Sequence, residues 1–370
     1  MLSVELAKRE EDAGYRLTHI AMLATRRTTV EYRRMGRSGL KVSEVCLGTM
    51  TFGHGTEEPE AARMVDVALE AGVNFLDTAD GYGDGASEEM LGRALKGRRR
   101  DAIVATKFFN PMGPGPNDSG MSRVRIMQAI DDSLTRLGMD YVDLYYIHHV
   151  DTQTPLDEML RALEDLVRVG KVRYIACSNY QAWRLSEAMW ISDSNGWARF
   201  ECYQPQYSLV VRDIEQEIVP LCELKGLGVV AWSPLAGGFL SGKYRPGERT
   251  HDGARSGEGW AYPQRYFASN ADETLQAVLD VSEELGRSPA QVALRWVLEQ
   301  GVMTSVIVGA RTEGHLRDNL GAAGWRLEAD SLARLTEVSH LPDRYPEAME
   351  KNMHERRDDA VDMPSLDAGR

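Results

Sequence analysis

Short apolar runs and amphipathic runs alternate eight times along this chain, and few folds accept that pattern. The β-rich runs are SEVCLG, NFLDTA, AIVATK, DLYYIH, VRYIACS, FECYQPQ, GVVAWS and SVIVGA. Between them lie stretches such as PEAARMVDVALEAG, SRVRIMQAIDDSLTRLG, LDEMLRALEDLVRVG, IEQEIVPLCELKG and ASNADETLQAVLDVSEELG. Apolar residues there recur at three and four, the helical period. Many end on glycine (Gly72, Gly138, Gly170, Gly226), which accepts the left-handed turn that stops a helix. Eight strands alternating with helices, at spacings of roughly 25 to 40 residues, predict an α/β fold, the (β/α)8 TIM barrel. The 370 residues, 43% of them hydrophobic, suffice for such a core.

One interval is much longer. Between Trp232 and Ser305 lies YRPGERTHDGARSGEGWAYPQRYF, rich in Gly, Arg and aromatics. A loop of that length reads as a flap over a site, here between barrel strands 7 and 8. Residues 1–30 carry charges throughout and lack the apolar core of a signal peptide, so they are expected to be a loosely ordered extension. A mis-assigned start, with the chain beginning near Val30, is the other reading. The barrel domain is expected over residues 31–342, and a charged, helix-poor tail over 343–370.

Composition narrows the function classes. A formal charge of -13 argues against a nucleic-acid or acidic-membrane surface. The only dense basic run, Arg98-Arg99-Arg100, falls between a helix and a strand pattern and reads as a solvated turn. No apolar run approaches the roughly 20 residues of a membrane helix. Cys46, Cys177, Cys202 and Cys222 are far apart and form no CxxC, which suits buried thiols in a reduced, cytoplasmic protein.

Reactive groups of such barrels sit at the C-terminal ends of the strands. Those ends carry Asp77, Lys107, His148, Ser178-Asn179, Gln204 and Trp232-Ser233. Any one of them reads equally as a cap or a loop contact. Six facing one mouth point to a site.

Two motif matches need separate treatment. Gly81-Tyr82-Gly83-Asp84-Gly85-Ala86 fits the dinucleotide fingerprint G-x-G-x-x-[GA]. The required acid should end the second strand, yet Asp101 precedes AIVATK, and Tyr82 between the first two glycines blocks close approach of a pyrophosphate. Gly237-Gly-Phe-Leu-Ser-Gly242-Lys243 fits G-x-x-x-x-G-K, but Tyr244 stands where a hydroxyl should hold magnesium. Glycine amides and a lysine still suit a pyrophosphate without metal. The bland reading is a glycine-rich turn.

The mouth residues suit one chemistry. A phenol with a reference pKa near 10 is a poor proton donor at neutral pH, and a nearby ammonium lowers that value. Lys107 can supply the ammonium, Asp77 can keep it charged, and His148 can donate to a substrate oxygen or relay a proton. The set fits proton delivery to a carbonyl that accepts a hydride. In isolation, Asp77 and Lys107 read as a structural ion pair, and Tyr82 as a loop aromatic. His148 and His149 are adjacent on a strand pattern, so they should face opposite ways and not share a metal. With no third ligand at metal spacing, no metal site is expected.

With these residues in hand, the chain resembles the aldo-keto reductase family over roughly residues 31 to 340. EYRRMGRSGLKVSEVCLGTMTFG is similar to the family's opening β-hairpin and first strand. FLDTADGYG with SEEMLGRAL, ATKF, and DLYYIH, counted from Asp143, carry its Asp77, Tyr82, Lys107 and His148. CSNY, YQPQYSL, AWSPLAGGFLSGK and VGARTEGHLRDNL resemble its cofactor segments.

The resemblance implies NADPH-dependent reduction of a small aldehyde or ketone, with Tyr82 as general acid and Asp77, Lys107 and His148 in support. It implies cofactor contacts at Gly48, Thr49, Met50 and Asp77. Ser178, Asn179 and Gln204 would hold the carboxamide, and Trp232 would lie under the nicotinamide, where many relatives have Tyr. Ser233, Pro234, Leu235, Gly237, Gly238, Gly242 and Lys243 would line the pyrophosphate. Gly309, Ala310, Arg311, His315 and Asn319 would meet the adenosine half, Arg311 as a fork on the 2'-phosphate. The family often has Gln where this chain has His315, so NAD stands beside NADPH. Met50, Phe108, Phe109 and a flap from Tyr244 to Phe267, with Trp260, Tyr262 and Tyr266, are the expected pocket rim. Two other readings remain: a cofactor-sensing subunit resembling potassium-channel beta subunits, and a sugar or polyol dehydrogenase. The oligomeric state is left open.

Overall fold

The computed structural model describes residues 30–249, 269–346, 348–350 and 353. The expectations for the N-terminal extension, for most of the flap with Trp260, Tyr262, Tyr266 and Phe267, and for most of the tail lie outside the described residues.

An antiparallel hairpin, β1 (Tyr32–Arg34) and β2 (Lys41–Ser43), opens the fold. Eight parallel strands then close into a barrel: β3 (Val45–Gly48), β4 (Phe75–Asp77), β5 (Ile103–Phe108), β6 (Val142–Ile147), β7 (Val172–Ser178), β8 (Phe200–Gln204), β9 (Gly228–Ala231) and β10 (Met303–Gly309). β10 pairs with β3, in the register Gly309 to Gly48. All eight apolar runs became barrel strands.

The helices are α1 (Glu58–Glu70), α2 (Ala86–Ala94), α3 (Arg123–Leu137), α4 (Leu156–Arg168), α5 (Ala182–Asn195), α6 (Ile218–Lys225), α7 (Ala271–Leu285), α8 (Pro289–Glu299), α9 (Glu313–Leu320) and α10 (Ala329–Val338). Gly138 and Gly226 close α3 and α6 in the left-handed conformation, at φ 62° and 65°. The stretch IEQEIVPLCELKG does not form one helix. A 3-10 turn covers Asp213–Glu215, and α6 begins only at Ile218. Pro220 has no N–H to donate, so it fits the first turn of a helix and not its interior.

Two apolar layers result. The outer one lies between strands and helices. The inner one fills the barrel with Cys46, Phe75, Ala105, Leu144, Tyr146, Ala176, Cys202 and Val230, and hairpin residues Met35 and Val42 plug its floor. All four cysteines are buried free thiols. Arg98 and Arg99 are not merely solvated: Arg98 pairs with Asp66, and Arg99 Nη2 lies 2.6 Å from Asp143 Oδ2.

Candidate active site

The site follows from the pleat. Side chains on one face of a strand recur every second residue. One step beyond the inner-core residues Cys46, Phe75, Ala105, Tyr146, Ala176, Cys202, Val230 and Ile307 stand Gly48, Asp77, Lys107, His148, Ser178, Gln204, Trp232 and Gly309. The register pairs Gly48 with Asp77 and Ser178 with Gln204 at that level. The six strand-end positions singled out in the sequence therefore share one layer at the C-terminal mouth.

Lys107 is fully buried. Its Nζ donates to Asp77 Oδ1, to the Thr78 carbonyl at 2.9 Å and to the Tyr82 hydroxyl at 3.3 Å. Burial alone would push the ammonium down; the Asp77 carboxylate and then Tyr82 more than offset it, and the net shift is upward. The other Asp77 oxygen accepts from Gln204 Nε2 at 3.0 Å. The buried carboxylate and ammonium are thus paired and further hydrogen-bonded, as burial requires.

Tyr82 reaches this pair from a 3-10 turn, Tyr82–Gly85, in which Gly83, Asp84 and Gly85 have φ of 57°, 53° and 95°. Its ring meets the His148 ring edge-on, with centroids 5.7 Å apart. Burial, then the Lys107 charge and His149, hold the His148 imidazole well below its ordinary range, so it is neutral at pH 7. Among the described residues, the buried His148 Nδ1 has no hydrogen-bond partner.

The expectation that His148 and His149 face opposite ways is wrong. Their rings stack, 4.6 Å apart and 11° from parallel. β6 ends at Ile147, so the strand pleat no longer separates the two side chains. Among the described residues, no three His, Cys, Asp or Glu side chains stand together as metal ligands do.

Two proposed rim residues also need correction. Phe108 follows inward-facing Lys107 on β5 and so points outward; it is buried in the outer layer and stacks on Tyr145 at 4.7 Å. Tyr244 is buried against Phe239 rather than at the rim. Met50 and Phe109 are partly exposed, and Phe109 meets exposed His149 edge-on at 5.4 Å.

The remaining positions fall into three groups. Ser178 Oγ donates to the Gln204 carbonyl at 2.7 Å, Asn179 Nδ2 to the His148 carbonyl at 3.0 Å, and Trp232 Nε1 to Asn179 Oδ1 at 3.2 Å. Thr49 is buried, and its hydroxyl bonds the Asp77 carbonyl at 3.1 Å. After Ser233, Pro234 and Leu235 comes a tight turn, with Ala236, Gly237, Gly238 and Gly242 at positive φ and Lys243 exposed. Ala310 and Arg311 lie just before Thr312, whose hydroxyl caps α9; His315 is exposed on that helix and Asn319 is buried.

The sequence reading missed the support behind this layer. Asp80, Glu88, Arg125 and Arg136 form buried or half-buried ion pairs there. The available signal was Arg125 beside the apolar stripe of α3, where a charge is buried only with a partner.

This barrel and mouth define a class, and the sequence comparisons match it. The Aldo/keto reductase family model covers residues 44–340, and the chain belongs to that family. It is 40% identical over 320 residues to a Bacillus subtilis protein named uncharacterized oxidoreductase YrpG, covering 84% of this chain and 96% of that one. It is 38% identical over 301 residues to a probable voltage-gated potassium channel subunit beta of Oryza sativa, covering 79% of this chain and 91% of that one. It is 33% identical over 338 residues to a versiconal hemiacetal acetate reductase of Aspergillus parasiticus, covering 83% and 96%.

Proposed function

We propose that this protein is an oxidoreductase that reduces an aldehyde or ketone to an alcohol, with NADPH as hydride source and Tyr82 as proton donor. The observation that carries the reading is the Lys107 ammonium within hydrogen-bonding distance of the Tyr82 hydroxyl, fixed there by Asp77. When bound, the reduced nicotinamide supplies the hydride for the new C–H bond. The Tyr82 hydroxyl gives its proton to the carbonyl oxygen as the C=O π bond opens, and Lys107 stabilises the phenolate left behind. Neutral His148 offers one N–H to the same oxygen. The relative named as an oxidoreductase supports redox chemistry, and the one named as a reductase supports this direction.

The residues fit such a cofactor. Ser178, Gln204 and Asp77 form a hydrogen-bonded chain, and Asn179 joins the His148 carbonyl and Trp232 beside it, a set of amide, hydroxyl and carboxylate groups that suits a carboxamide. Trp232 gives a broad aromatic face beside it. The run of left-handed residues around Gly237 and Gly238, followed by Lys243, suits a pyrophosphate. Arg311 before the start of α9 suits the 2'-phosphate, and NAD is the alternative cofactor.

Tyr82→Phe should bind NADPH with near-parent affinity, read by fluorescence, while kcat for 4-nitrobenzaldehyde falls on the order of 10²- to 10⁴-fold, the usual worth of a general acid. Parent-rate turnover by this variant would remove Tyr82 from the proposal. The relatives named as potassium channel beta subunits favour a second reading, a cofactor-sensing binding subunit. Steady multiple turnover across a carbonyl panel, followed at 340 nm, would exclude it; a single turnover with retained cofactor would support it.

A further inference from the structure

Tyr82 stands on an unusual segment. Three consecutive residues after it, Gly83, Asp84 and Gly85, are left-handed, a region that non-glycine residues such as Asp84 occupy uncommonly. Such a turn persists only when its surroundings over-determine it. Its flanks are held from one helix. Two residues before Tyr82, the fully buried Asp80 carboxylate meets Arg125 Nη2 of α3 at 3.0 Å, while its amide donates to the Lys107 carbonyl at 3.0 Å. After the turn, buried Glu88 meets Arg136 Nε at 2.7 Å, about three turns further along α3. Glu88 also accepts from Thr106 Oγ1 at 2.5 Å, next to Lys107.

We propose that Asp80 and Arg125 form a positioning pair that holds the turn carrying Tyr82, and so sets the approach of its hydroxyl to Lys107. The inference rests on Tyr82 being the proton donor proposed above. Neither Asp80 nor Arg125 touches the reacting atoms; they act through the backbone between Asp77 and Tyr82. A displacement near 1 Å at a reacting group is enough to cost on the order of 10²-fold in rate.

The pair also gives the turn a pH dependence. Asp80 faces Glu88 on α2, Arg125 and Arg136 on α3, and Tyr145 on β6, while Asp132 lies 3.9 Å from the far side of Arg125. Asp80 Oδ1 has no hydrogen-bond partner among the described residues, and Arg125, the Gly81 amide and Arg136 only partly offset the burial of the carboxyl. Burial first, then Glu88, push its carboxyl up to about 7, against the pull of Arg125. Above that pH the carboxylate is ionised and grips Arg125; below it the proton weakens the grip. Activity should therefore fall on the acid side of about pH 7. His148 is held too low to produce that limb.

The test compares the parent with Asp80→Asn in two readouts: kcat against pH with 4-nitrobenzaldehyde, and hydrogen exchange of the 79–91 segment by mass spectrometry. The expected variant has a kcat lower by on the order of 10- to 100-fold, parent-like NADPH affinity, no acid limb near 7 and faster exchange in the turn. A variant that keeps the parent kcat and limb overturns the proposal, even if its melting temperature drops, because the pair is then structural only. If Asp80→Asn does not fold, Arg125→Lys carries the test, and a limb at the parent position overturns the proposal. If the parent itself reduces no carbonyl, the functional reading fails separately; parent-like exchange in Asp80→Asn would then overturn the pair on its own.

Discussion

At the scale of single residues, the site shows how one charge makes another tolerable. Lys107 is fully buried, and what permits this is Asp77, Gln204 and a carbonyl from Thr78. Breaking such a pair from one side leaves a charge without compensation, which typically costs about 3 to 5 kcal/mol. Lys107→Met should therefore lose turnover and also lower the unfolding free energy measured by urea titration by that amount, while Asp77→Asn with Lys107→Met should recover much of the stability and none of the activity. A double variant no more stable than Lys107→Met would count against the pairing. These residues were legible in the sequence because they end apolar runs. Asp80 and Arg125 were not, since nothing local shows that a turn aspartate and a helical arginine over forty residues later will meet.

At the scale of elements, periodicity located the strands well and the helix starts less well, as Pro220 shows in α6. Helix–helix approach was invisible. Gly92 lies inside α2, where glycine ordinarily weakens a helix by about 1 kcal/mol relative to alanine. By that rule Gly92→Ala should stabilise. In the fold, a Cβ there would sit 2.2 Å from the Leu137 carbonyl oxygen, backbone that cannot rotate away. The variant is expected instead to be destabilised by about 1 to 3 kcal/mol, as overpacked sites are, measured as a lower denaturant midpoint with unchanged slope. Because α2 follows the Tyr82 turn and α3 carries Arg125 and Arg136, the same change should also reduce kcat. A more stable Gly92→Ala would refute the close approach.

At the scale of the whole molecule, the barrel must close where its first and last units meet. Glu44 is the hub of that seam. It is fully buried and accepts from Arg33 Nη2 of the hairpin at 3.0 Å and from Arg295 Nη1 of α8 at 3.2 Å. Arg33 also donates to the Leu298 and Met303 carbonyls, both at 2.9 Å, and Arg295 lies 2.9 Å from Glu299. Arg295→Met is expected to cost about 3 to 5 kcal/mol in global unfolding and to speed exchange in β3 and β10, with Tyr82-dependent chemistry nearly intact below the melting range. An equal loss of kcat and stability would mean that seam and mouth are mechanically coupled.

The sequence by itself determined the eightfold alternation, the barrel, and the layer of polar residues at its mouth, because a two-residue pleat and a 3.6-residue helix leave their periods in the order of the residues. Only the tertiary structure decided which side chains meet across strands and helices. The stacking of His148 on His149, the clearance at Gly92 and the Asp80–Arg125 pair all depend on where one element ends and another lies. Contacts of that kind join residues far apart in the chain, and a local pattern carries no record of distance in space.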